Sequence, residues 1–164
     1  MLASYAAYNL WANEALCKTV RNLTQEQWAQ SIGGPFGSFE KLLTHLWDVE
    51  ELWWQRLKLV EHPVAPSLSF SGDVSALCVH WLKASEQWKT WVASTTDATL
   101  QHTIEYRNSK REAFKQPVQQ ILLHLFNHQS FHRGQVSHAL RTLGVQPPVL
   151  DYIHWSRKYW AYKI

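Results

Sequence analysis

No segment constrains this chain more than Pro117 to Leu143, which reads as one long amphipathic helix. Proline suits a first helical turn, where its missing N–H would have no partner anyway. Apolar residues then return at Val118, Ile121, Leu122, Leu125, Val136, Ala139, Leu140 and Leu143, close to the helical period. Gly144 is placed to cap the C-terminal end, and Pro147 and Pro148 prevent simple continuation. On this helix His124, His128 and His132 fall four residues apart and so share a side.

Two imidazoles one turn apart can share a metal ion, because their Cβ atoms stand only about 5–6 Å apart. The plain alternative is packing. A chain with nine histidines in 164 residues gives on the order of half of one such pair by chance. His124, beside Leu122 and Leu125, fits a core histidine. A pair also needs a third ligand from elsewhere.

The rest of the chain supplies further helices. Leu2 to Leu23 carries an apolar stripe through Tyr5, Tyr8, Ala12, Leu16 and Val20. Thr24 with Gln27 is a candidate capping box opening a short turn through Trp28. Gly33 to Phe39 is a loop by composition, with Ser38 as N-cap for a second helix expected from Phe39 to Glu61 and stopped by His62-Pro63. Asp73 caps a third, Val74 to Ser94. Between Ala98 and Gln116, Leu100, His102, Ile104 and Tyr106 alternate with polar residues, which predicts a small β-hairpin or an extended loop. A shorter helix, Leu150 to Tyr162, follows the prolines. Four long helices with one such insertion describe an all-α four-helix bundle, with residues 1–164 forming one domain.

Composition narrows the function. The net charge of +3 is mild and no Lys/Arg run exceeds two residues, which argues against a nucleic-acid partner. Cys17 and Cys78 are isolated and fit reduced, buried thiols. No leader segment is visible and no apolar run approaches the roughly 20 residues of a membrane span, so the expectation is a cytoplasmic protein with no membrane partner. Ten tryptophans are expected in the core or at an interface.

In bundles, metal sites are assembled from side chains on facing helices, so His45 on the second helix is a natural partner for His128 and His132. His102 and His154 stay open as third ligands, and His62, His80 and His138 are harder to place there. Spacing alone does not choose.

Longer stretches carry a resemblance. YNLWANEAL (Tyr8 to Leu16), FGSFEKLLTHLWDVEELWWQRL (Phe36 to Leu57), HLFNHQSFHRGQVSHALRTLG (His124 to Gly144) and PPVLDYIHWSR (Pro147 to Arg157) together resemble the DinB family of metal-binding four-helix bundles over almost the whole chain. The Asn-His-x-x-x-His-Arg-Gly-Gln core is the specific part. The resemblance implies metal ligands at His45, His128 and His132, zinc or nickel as the divalent ion, and a homodimer. Phe131 departs from the pattern, since many members carry histidine there. The family label suggests a damage-inducible origin, which describes regulation and not a reaction. Similar proteins include thiol-dependent S-transferases that use bacillithiol or mycothiol and a mycothiol-dependent maleylpyruvate isomerase.

Three neutral imidazoles leave a divalent cation an open position for water or a thiol. The metalloprotease motif H-E-x-x-H is absent, because Gln129 stands at its glutamate position. Asp48 and Glu51 are candidate acid–base groups, Gln135 and Asn127 candidate hydrogen-bond partners near the site, and Arg133 a candidate structural ion-pair partner. Gly134 in mid-helix predicts a close helix approach. The catalytic residues stay unassigned. The expectation is a metal-dependent hydrolase or thiol transferase acting on a small-molecule thiol or hydrolysable substrate; the alternative is a non-catalytic metal-binding homodimer.

Overall fold

The computed structural model describes residues 1–108 and 110–160, Trp160 by its backbone alone. Helix α1 spans Leu2–Val20. It stops three residues short of Leu23 because Thr24 must be extended to cap α2, Gln25–Ala29. The capping box is complete: Gln27 N–H donates to Thr24 Oγ1 at 3.2 Å, and Thr24 N–H to Gln27 Oε1 at 3.0 Å. The expected loop after it contains a small hairpin, β1 (Ser31–Gly33) with β2 (Gly37–Ser38). Ser38 then accepts from the Lys41 N–H at 3.2 Å and opens α3, Phe39–Leu57.

Helix α3 ends before the expected Glu61. Leu59 takes φ 56°, and the N–H groups of Leu59 and Val60 return to the carbonyls of Arg56 and Gln55. The Gln55 side chain then clamps Val64 by two 2.9 Å hydrogen bonds, fixing the chain as it leaves. A short 3₁₀ turn, Pro66–Ser69, leads to α4, Val74–Ser94, where Asp73 caps Ala76 at 2.8 Å as expected. After α5 (Asp97–Gln101), the predicted hairpin forms from β3 (Thr103–Arg107) and β4 (Ala113–Pro117), with Tyr106 opposite Phe114. Strand β4 runs straight into α6, Val118–Thr142. Gly144, at φ 73°, closes α6 with Val145 N–H on the Leu140 carbonyl at 2.9 Å. The last helix, α7, covers Tyr152–Trp160, and the expected end at Tyr162 lies outside the described residues.

Helices α1 and α3 each pack against both α4 and α6, so α1 lies diagonally across the bundle from α3. The apolar core is divided along the bundle. One cluster holds Leu16, Phe39, Leu43, Trp81 and Leu140; the other holds Trp53, Trp88, Ile121, Leu125 and Phe126. At the level between them the buried residues are polar: Asn9, Asn13, Glu50, Ser85, Gln129 and Arg133. Cys17 and Cys78 are both buried and unpaired. Among the described residues no helix is long and apolar enough to cross a membrane.

Candidate metal centre

His45 on α3 and His128 and His132 on α6 meet at that middle level, where the two apolar clusters part. Their donor atoms all lie within 4.8 Å of one another, and this trio could hold a metal ion. His128 Nε2 stands 3.3 Å from His45 Nε2 and 3.1 Å from His132 Nε2. An imidazole nitrogen carries either one proton or one lone pair, so His128 Nε2 cannot satisfy both contacts as hydrogen bonds. A shared cation satisfies all three lone pairs. The 3.1 and 3.3 Å separations are short enough for a divalent ion to be shared, so His45, His128 and His132 would be the residues to hold it.

The surroundings favour neutral imidazoles, the form that binds metal. Burial first, then the neighbouring His132, His45 and His124, lowers the His128 pKa to about 3. Burial also lowers that of His45, with His132 adding to it and Asp48 pulling the other way. His132, 8% exposed, has its Nδ1 2.7 Å from Gln135 Oε1. That contact assigns the proton to Nδ1 and leaves the Nε2 lone pair facing the other histidines. Phe36, from the β1–β2 loop, packs on both His45 (5.0 Å) and His132 (5.4 Å). Phe131 packs on His132 at 5.0 Å while remaining 63% exposed.

The other sequence candidates separate cleanly. His124 lies edge-on to Trp53 at 5.4 Å and stays outside the trio. His80 stacks on Trp47, while His102 and His154 are exposed. Asp48 accepts two hydrogen bonds from Ser67, from its backbone N–H and its hydroxyl, so it anchors the 3₁₀ turn. Glu51 is raised by burial, with Lys83 and His80 of α4 as its nearby opposing charges. Gln129 is wholly buried and donates to the Leu46 carbonyl at 2.7 Å, a clamp between α3 and α6. Asn127 is exposed and makes no side-chain hydrogen bond among the described residues. The close approach expected at Gly134 is absent: a Cβ there would meet nothing within 4 Å. Its open side borders two cavities instead.

Arg133 is structural, though not through a direct ion pair. Its Nη1 donates to Asn9 Oδ1 at 2.6 Å and Asn13 Oδ1 at 3.0 Å, and Nη2 donates to Ser130 at 2.9 Å. The two asparagine amides in turn donate to Glu50 Oε1, and Ser85 donates to Oε2 at 2.8 Å. Burial pushes the Glu50 carboxyl up to about 7 despite these donors and Arg133. Sequence reasoning weighed Asp48 and Glu51 and missed Glu50. The signal was its spacing: Leu43, Leu46, Glu50 and Trp53 share the buried face of α3. Phe36 was also missed, since a loop residue shows no periodicity.

A family model described as the DinB family matches residues 1–161. Protein DinB of Bacillus subtilis (strain 168) is 24% identical over 153 residues, covering 88% of this chain and 87% of that one. Among solved structures, a DinB-like protein from Bacillus subtilis matches with a TM-score of 0.68 at 13% identity, covering 90% of this chain and 97% of its own. A DinB-like protein from Bacillus cereus ATCC 10987 matches with 0.65 at 18% identity, covering 85% and 90%. These two likenesses carry the fold. The family model spans nearly the whole sequence, and on that ground the chain belongs to the DinB family.

Proposed function

We propose that His45, His128 and His132 bind one divalent ion, zinc or nickel, and that the protein is a metal-dependent hydrolase or thiol transferase of small molecules. The observation that carries this reading is the convergence of three imidazole nitrogens with no fourth protein donor in the group among the described residues. A closed structural site takes four protein ligands, whereas three leave room for a substrate or nucleophile. A divalent ion held there supplies Lewis acidity and activates a water or a thiol as nucleophile.

The chain's own residues set the conditions. Gln135 fixes the His132 tautomer, and burial keeps His45 and His128 unprotonated at neutral pH. Phe36 and Phe131 shield the His132 ring from water. Beyond them lies a cavity of about 340 Å³ between the β1–β2 loop and α6, walled by Ile32, Phe36, Leu42 and Phe131. That volume suits a small, largely apolar substrate. The test is turnover of an activated ester, and of a thiol with an electrophile, by zinc- or nickel-loaded protein. Activity lost on chelation and in His45→Ala supports the reading; no turnover with full metal occupancy contradicts it.

A second reading, a non-catalytic metal-binding homodimer, draws on the exposed apolar side chains of Leu123 and Phe131 on α6. Under that reading Phe131→Glu yields a monomer by light scattering while metal occupancy persists.

A further inference from the structure

A second cavity, about 510 Å³, lies between α1, α6 and the segment that leads into α7. Its floor on α6 includes Ser130, Gly134, Ser137 and Arg141. These positions form one stripe, roughly 160° around the helix from His128 and His132 at about 100° per residue. The cavity is therefore separate from the histidine trio.

Its polar lining is rich in donors. Arg133 is only 2% exposed, and its Nε is buried with no partner. Among the described residues no carboxylate lies within 4.0 Å of the Arg133 guanidinium. Its network reaches an opposite charge, Glu50, only through Asn9 and Asn13. Arg141, at the other end of the stripe, makes no side-chain hydrogen bond or ion pair among the described residues, and neither does the Ser137 hydroxyl. Asp151 is the acidic residue of the lining. With Glu50 behind Arg133 and Asp151 in the lining, the exposed Arg141 is, among the described residues of the cavity, the cation left free for a ligand, which suits a monoanion better than a dianion. The opposite wall, with Pro147, Pro148 and Tyr152, is apolar or aromatic and suits a carbon skeleton.

We propose that this cavity is a second ligand site, which takes a small carboxylate with an apolar body. The carboxylate meets the Arg141 fork, whose planar donors match its two oxygens, and the apolar part rests on Tyr152 and the prolines. Gly134 and Ser137 keep the floor low enough for entry, which accounts for a glycine in mid-helix with open space above it.

Benzoate titrated into the protein and followed by calorimetry and NMR tests this directly. Saturable millimolar or tighter binding is expected, with at least about a tenfold loss in Arg141→Gln. Ser137→Leu should abolish it by filling the floor, while both variants keep the wild-type far-UV spectrum. Benzyl alcohol, the uncharged analogue, should not bind, and His128→Ala should bind benzoate as the wild type does. The proposal is overturned by absent saturation, by binding indifferent to both cavity variants, or by loss in His128→Ala. Inorganic phosphate binding as tightly as benzoate would also overturn the assignment to a carboxylate.

Discussion

Replacing Glu50 by glutamine should flatten the pH dependence of folding stability between about pH 4 and 8. Glu50 is wholly buried, and its carboxyl is raised from an ordinary 4.5 to about 7. A pKa raised in the folded state gives a contribution that is full below the unfolded value and disappears as pH rises through the folded one. The native state thus holds a proton that the unfolded chain releases from about pH 4.5 upward. A displacement of about 2.5 units is worth about 3 kcal/mol at 1.36 kcal/mol per unit. Wild-type stability should therefore fall by about that amount across the window from this group alone, and Glu50→Gln should remove the fall. Urea melts of metal-free protein, followed by tryptophan fluorescence at several pH values, measure it. The difference between the two curves cancels the opposite contribution of His128, whose lowered pKa adds stability above its unfolded value. Parallel wild-type and variant curves would refute the reasoning, because Glu50 would then ionise as an exposed carboxylate does.

Other outcomes follow from single contacts. Arg133→Met strips Asn9, Asn13 and Ser130 of a donor each, and should cost about 3 kcal/mol in a denaturant melt. Gly134→Ala places a methyl group in open space on a helix, so it should raise stability by about 1 kcal/mol, read from the same melts. Gln135→Leu removes the hydrogen bond that holds His132 Nδ1. If the trio binds metal, affinity by competition with a chelator should fall about 10- to 100-fold with the fold intact.

Much of this molecule was legible in the sequence because helices advertise themselves through period and caps. Ser38, Thr24, Asp73 and Gly144 mark their boundaries by specific hydrogen bonds, and all four do so in the structure. The early end of α1 was implicit in the Thr24 capping box, but that of α3 had no signal. Leu59 closes α3 in a left-handed conformation that ordinarily selects glycine, so nothing in the sequence announced the early stop. Spacing put His128 and His132 together on α6, but His45 lies on the neighbouring helix α3, and pairing between helices depends on packing that spacing does not encode. The polar layer was hidden for the same reason. Arg133 reads only as a candidate ion-pair partner, and nothing local joins it to Asn9 and Asn13, which lie more than a hundred residues away and meet it only when α1 and α6 pack. Gly134 was misread because a small residue serves equally for close contact and for open space.

The most direct test of the three-histidine site is elemental analysis of untagged protein, wild type beside His128→Ala, before and after incubation with zinc or nickel. The account predicts close to about one ion per chain in the wild type, for a single three-ligand centre, and a sharp loss in the variant. No uptake by the wild type, or equal metal in His128→Ala, would mean that these histidines pack the bundle and hold no ion.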